Sequence, residues 1–322
     1  MRISKLPYVF ISALMLSVSC SKETSVENDE STITDTDENT DEPIDGTGRS
    51  AAKKLYVDYY MASSATTSDL SWTGDEPSCD AGSAPQATKD KIFMRLSYFR
   101  KAVGLDIEIA ENSSKSDKAQ KAALMMHANG TLNHNPPKNW KCFSTDGEQG
   151  AKNSLLTSTK NADAIDSYIR DQGNDNFPVG HRRWLLWPQL QEIGIGNTSS
   201  YNAIWVLGNP GTRPADTPEF IAWPPPGYLP KQMAYPRWSF SIHEADFTEA
   251  KIAMKIKNGG DLSLEIEELT GIYGDNTIVW MPSINTNTLD EDTAYVVSLS
   301  NVGIGGETKN FEYEVVLFDV NE

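Results

Sequence analysis

Two of the four histidines in this chain stand where an imidazole could do chemistry. His134 lies in Gly130-Thr-Leu-Asn-His-Asn-Pro-Pro137, past an expected helix end and ahead of two prolines, so it projects from a loop. His181 lies in Val179-Gly-His-Arg-Arg-Trp-Leu-Leu-Trp-Pro188, where Gly180 permits a close backbone turn before a short apolar helix. Between them stand Asp146-Gly-Glu148 and the helix end Arg170-Asp171. Two imidazoles with one or two carboxylates suit either of two tasks. They can hold a divalent ion such as zinc with open positions, or they can divide the roles of base and acid. Spacing alone does not make them converge, and histidines that merely brace loops are the competing reading. The chain contains no His-Glu-x-x-His, no Gly-x-Ser-x-Gly and no phosphate loop. His127 falls inside an expected helix, where packing is the expectation, and His243 beside Glu244-Ala-Asp246 reads as a solvated strand end.

The elements that must position these groups fall into two halves. Ile92, Leu96, Phe99 and Val103 form one helical stripe over 89–103, closed by Gly104. A second helix over 116–129 stops at Gly130, and a third over 162–171 places Ile165, Tyr168 and Ile169 on one face. Strands are expected at 192–196 and 201–207. That order predicts an α+β layer, not a doubly wound sheet. Residues 214–237 carry seven prolines and read as an ordered connector. Beyond it the period becomes two: 251–257, an Asn258-Gly-Gly260 hairpin turn, 262–267, then strands at 277–281, 294–300 and 311–319. This predicts a small immunoglobulin-like β-sandwich over 238–322. Trp184, Trp187, Trp205, Trp238 and Trp280 are expected mostly in cores, while the Trp223–Pro230 strip is the place for exposed aromatic contacts.

The first nineteen residues read as an address. Arg2 and Lys5 precede an apolar run from Leu6 to Leu16, then Ser17-Val-Ser-Cys20, which resembles a bacterial lipoprotein signal with Cys20 as the lipidated residue. Residues 20–50 hold ten acids and two bases with little apolar surface, the composition of a disordered tether. Net charge is −17, of which −11 falls on residues 51–322. A chain so acidic repels phosphate backbones, so nucleic acid is excluded as a partner. With Cys20 lipidated, Cys79 and Cys142 are expected to pair in an oxidising compartment, and the alternative makes Cys142 a thiolate nucleophile.

The ordered set Leu132-Asn-His134, Gly147-Glu148, Tyr168-x-x-Asp171, Gly180-His-Arg-Arg-Trp-Leu-Leu and Glu192-Ile-Gly-Ile-Gly196 resembles the CAP superfamily over about 88–209. These are the cysteine-rich secretory, venom-allergen and pathogenesis-related (SCP-like) proteins. The resemblance implies an α-β-α sandwich over 51–213 with a cleft tetrad of two histidines and two acids. It assigns His134, Glu148 and His181 to three positions. Asp171 stands at the fourth, where the family usually has Glu, one methylene longer. It also implies divalent-metal binding through His134 and His181, or a lipid, small-molecule or protein ligand. The segment after Trp223 resembles a β module that follows some bacterial CAP domains. The expectation is therefore a protein anchored through Cys20 to a cell envelope, at the outer membrane or surface of a Gram-negative bacterium, that binds a ligand in a His/acid cleft. The rival readings are a metal-assisted hydrolase of envelope peptides or esters, and a non-catalytic structural or adhesive protein.

Overall fold

The structure, a computed structural model, describes residues 48–64, 71–208, 210–271 and 273–321. The expected signal over 1–19, Cys20 and the tether up to residue 47 lie outside the described residues. Helix α1 (Arg49–Leu55) begins two residues before the expected domain edge and continues as a π turn over Tyr56–Met61.

The remaining elements of the first half are α2 (Gln86–Ala102), β1 (Ala110–Glu111), α3 (Ser113–Asn129), α4 (Thr145–Asn153), β2 (Ser154–Thr157), α5 (Asp163–Arg170), α6 (Gly180–Leu185), β3 (Glu192–Asn197) and β4 (Asn202–Trp205). The four strands form one sheet in the order β1-β3-β4-β2, with β1 parallel to β3 and the other neighbours antiparallel. Helices cover both faces. Strand residues therefore alternate between two cores, as period-two geometry requires. Leu155, Ile195, Ile204 and Val206 face the core built with α2, α5 and α6, whereas Leu156, Ala203 and Trp205 face the one built on α3. This is the α-β-α layering expected.

The Ile-Gly-Ile-Gly stretch has a packing reason. Ile193 and Ile195 fill one core, while Gly194 and Gly196 face α3. A Cβ at Gly194 would lie 2.4 Å from the Lys115 carbonyl carbon, and one at Gly196 2.2 Å from that of Ala119, so α3 rests directly on the β3 backbone. Helix α3 answers with small residues at the contact: Ala119, Ala122 and Ala123, all fully buried. Its ends are closed by the Asn112 side chain, which accepts from Lys115 N at 3.1 Å, and by Gly130 in the left-handed region at φ 64°.

The second half is a two-sheet sandwich. One sheet runs β5 (Ile221–Trp223), β7 (Trp238–Ile242), β10 (Asn276–Pro282), β9 (Leu264–Ile266). The other runs β6 (Gly227–Pro230), β12 (Glu307–Phe318), β11 (Thr293–Ile304), β8 (Lys251–Ile256). Trp238 from the first sheet meets Tyr295 from the second, with ring centroids 6.2 Å apart, and lies 6.4 Å from Trp280 of its own sheet. Three expectations change here. Residues 214–237 do more than connect, because β5 and β6 each supply an edge strand. An edge is where proline is tolerated, since no partner needs its missing N–H. Trp223, expected to be exposed, is completely buried and donates from Nε1 to Met233 O at 3.2 Å. The Asn258-Gly-Gly260 turn exists and closes a short hairpin, with Ile256 N donating to Gly260 O at 3.1 Å and Leu262 N to Met254 O at 2.8 Å, but the pairing stops there. Beyond one bridge between Lys255 and Asp261, the chain crosses to the opposite sheet, so β8 and β9 do not pair.

Cys79 and Cys142 form a disulfide 63 residues apart, which removes Cys142 as a thiolate nucleophile. His127 packs as expected: Nδ1 lies 3.0 Å from Thr198 Oγ1, and the ring lies between Trp72 and Tyr201. His243 is half-exposed just past β7, with Nδ1 3.3 Å from Asp275 Oδ1.

Candidate functional site

His134 and His181 line the same cleft, about 230 Å³ in volume, at the end of the first sheet where β2 begins and β4 runs out. They arrive from opposite layers. His134 follows α3, and its loop is fixed by the left-handed stop at Gly130 and by Asn133, whose side chain accepts from Asn135 N at 2.8 Å. His181 sits in the first turn of α6. That turn opens at Val179, which has φ 47° and is completely buried.

Each ring is held through Nδ1. His134 Nδ1 donates to the Ala151 carbonyl at 2.9 Å, and a carbonyl can only accept. His181 Nδ1 donates to Asp171 Oδ1 at 2.6 Å, while the other carboxylate oxygen accepts from the His181 backbone N at 2.9 Å. In its neutral form each ring therefore carries its proton on Nδ1 and leaves Nε2 as a bare lone pair. Neither Nε2 has a partner among the described residues. Fixing one ring nitrogen to commit the other is the arrangement that prepares an imidazole as an acceptor, base or ligand.

The two acids stand elsewhere than the resemblance implied. Asp171 closes α5 in the left-handed region at φ 50°, is 1% exposed, and does not line the cleft. Its shorter side chain ends behind His181, where it grips ring and backbone together. Glu148 lies in the first turn of α4, half-buried, one turn before the Ala151 carbonyl that holds His134. It is not among the residues lining the cleft. An acid there also complements the positive end of the helix. Among the described residues, no three His, Cys, Asp or Glu side chains gather closely enough to hold a metal. Two imidazoles fall short of the three or four protein ligands of zinc sites, so this donor set does not fit a resident zinc ion.

Sequence reasoning missed much of the lining. Lys152, Ser154 and Leu155 come from the α4–β2 junction, Asp175 and Asn176 from the turn before α6, and Tyr273 from the β-sandwich. Ser154 is 4% exposed, and its hydroxyl has no hydrogen-bond partner among the described residues. Leaving such a group unpaired costs about 1–3 kcal/mol.

The Arg182-Arg183 pair beside His181 serves another purpose. Arg182 is buried and donates to Ile169 O, Arg237 O and Ser239 Oγ at 2.7–3.0 Å. Arg183 donates to Thr270 O and Asp275 O at 3.0 and 2.9 Å. Burial pulls both guanidinium groups down to about 10, with the Asp171 carboxylate pulling Arg182 the other way. Both arginines thus plug α6 into the β-sandwich, and Arg237 returns a bond to Asp171 O at 3.0 Å. A clue existed in the sequence: two arginines inside an otherwise apolar helix need buried partners.

No curated protein matches the chain. Residues 95–207 match CAP, described as the cysteine-rich secretory protein family. That span runs from inside α2 to just past β4 and contains all four residues singled out for the cleft. Residues 95–207, with the α-β-α layers and the two histidines of the cleft, are therefore the part of this chain that matches the CAP domain of the cysteine-rich secretory protein family.

Proposed function

We propose that the protein is an envelope-anchored, extracytoplasmic binding protein whose CAP domain takes a small ligand between His134 and His181. The observation that carries this reading is the pair of imidazoles in one cleft, each bonded through Nδ1 and open at Nε2. Two lone pairs in fixed positions recognise a ligand that donates hydrogen bonds. Binding is preferred to hydrolysis because, among the described residues, neither imidazole is hydrogen-bonded to a hydroxyl or thiol that it could activate.

The binding test uses the Hε1 resonances of His134 and His181 in the full chain. Four probes are titrated separately: N-acetylglucosamine, phenol, octanoate and zinc chloride. The expected result is that at least one organic probe moves both resonances together, and that His181→Ala weakens its binding about tenfold or more while also abolishing the shift at His134. No response from either ring to any organic probe would overturn the reading.

Anchoring rests on the lipoprotein-like segment ending at Cys20 and is supported by the Cys79–Cys142 disulfide, which suits an oxidising compartment. The full chain expressed in a Gram-negative host is expected in the membrane fraction, and Cys20→Ser is expected to move it to the soluble fraction. Equal partitioning of the two would remove the anchor.

A further inference from the structure

The β-sandwich contributes a wall to the cleft. Tyr273, in the loop before β10, lines it together with the histidines, although it lies 66 positions beyond the end of the CAP match. Three contacts fix its place. The Arg183 guanidinium lies 5.5 Å from the Tyr273 ring centroid. A Cβ built on Gly180 would stand 3.1 Å from three atoms of the ring, so the absent side chain of Gly180 makes room for it beside His181. The loop itself is clamped at both ends by the bonds from Arg183 to Thr270 O and Asp275 O.

Trp184, one turn along α6 from Gly180, is a second half-buried aromatic residue in the lining. The cleft thus combines two aromatic residues with two lone-pair acceptors, a carboxylate at Asp175 and the unpaired hydroxyl of Ser154. Its volume of about 230 Å³ lies below the ~300–1,000 Å³ of drug-sized pockets. That volume matches one ring-sized unit more closely than a sterol or a folded acyl chain. A ring with an apolar face and several donating hydroxyls at its rim satisfies this lining better than a purely apolar or an anionic group, since aromatic faces take the ring and the imidazoles take its hydroxyls.

We propose that Tyr273 completes the binding cleft and that the ligand is a pyranose unit of a glycan. This rests on the binding-cleft reading above and narrows its ligand. The β-sandwich is then part of the site, and the CAP domain alone would carry an incomplete one.

The test is saturation-transfer NMR on the full chain with N-acetylglucosamine and with glucose, alongside the His134 and His181 Hε1 shifts. The expected result is transfer to ring protons of at least one sugar, with both histidine resonances moving. Tyr273→Ala should weaken that binding about tenfold or more, and Tyr273→Phe, which keeps the ring, should retain it. Dispersed, wild-type-like Hε1 resonances in the free variants show that the fold is intact, and Tyr273→Phe carries the comparison if the alanine variant does not fold. If phenol or octanoate moves both histidines while neither sugar does, the glycan proposal fails and the binding cleft stands. If no organic probe moves them, both fail. If a sugar binds equally to wild type and Tyr273→Ala, the role of Tyr273 is refuted.

Discussion

Arg95→Met should lower folding stability by about 3–5 kcal/mol at neutral pH. Arg95 is 1% exposed and lies under the π turn, with its guanidinium 4.0 Å from the Tyr60 ring centroid. It pairs with Asp166, itself 8% exposed, and donates from Nε to Ser63 Oγ at 2.6 Å. Tyr235 of the second half donates to the other Asp166 oxygen at 3.2 Å. Four segments of chain thus meet on one ion pair, and removing the cation strands a buried carboxylate.

The pH dependence follows from the same pair. Burial pushes the Asp166 carboxyl up, and Arg95 is the main opposing influence. Without Arg95, its folded pKa rises further above the ordinary ~3.9. A group raised in this way gives stability that is present below the unfolded value and lost as pH climbs through the folded one. The deficit of Arg95→Met relative to wild type should therefore be widest at pH 7 and narrow toward pH 4. Urea titrations across that range check this, and Arg95→Met/Asp166→Leu should recover most of the loss at neutral pH. A deficit that stays constant with pH would show that lost packing, not a stranded charge, sets the cost.

The second large effect is expected from Cys79→Ser/Cys142→Ser. The disulfide closes a loop containing α2 and α3, and in the chain-entropy account a closure of 63 residues stabilises the fold by about 4 kcal/mol. It also pins the segment around Trp72 to the back of α3. There Trp72 Nε1 donates to Ala81 O at 2.7 Å, Gln120 Nε2 donates to the same carbonyl at 2.9 Å, and the Trp72 ring lies 5.2 Å from His127. Chemical denaturation of wild type and double variant measures the difference. A loss below about 1 kcal/mol would mean that this segment opens independently of the domain it covers.

Much of the scaffold was legible because periodicity reports burial. The stripe over Ile92, Leu96 and Phe99 and the Gly130 stop both correspond to real elements, and Ile-Gly-Ile-Gly is a strand against a close-packed helix. Helix α4 was not legible. Gly147 and Gly150 weaken its local signal, and both are set by contact with α3: a Cβ at Gly150 would fall 2.1 Å from Lys118 O. The strand pairing after β8 differs for a related reason: the hairpin is one bridge long, and β9 joins the other sheet. Alternation shows that 251–257 and 262–267 are extended, but not which sheet each joins.

At the site, the sequence singled out the two histidines that share the cleft, through their loop and turn surroundings. It could not show that Asp171 would turn into a left-handed cap and stand behind His181. Nor could local pattern reveal Tyr273, which reaches the cleft only because Arg182 and Arg183 dock α6 against the second half of the chain.

The central claim is that both imidazoles are committed at Nδ1 and open at Nε2. Long-range proton–nitrogen correlation of the histidine side chains, recorded on the full chain at a pH where both rings are neutral, tests it directly. The account predicts the Nδ1–H tautomer for His134 and for His181. Finding the proton on Nε2 of either ring would contradict it.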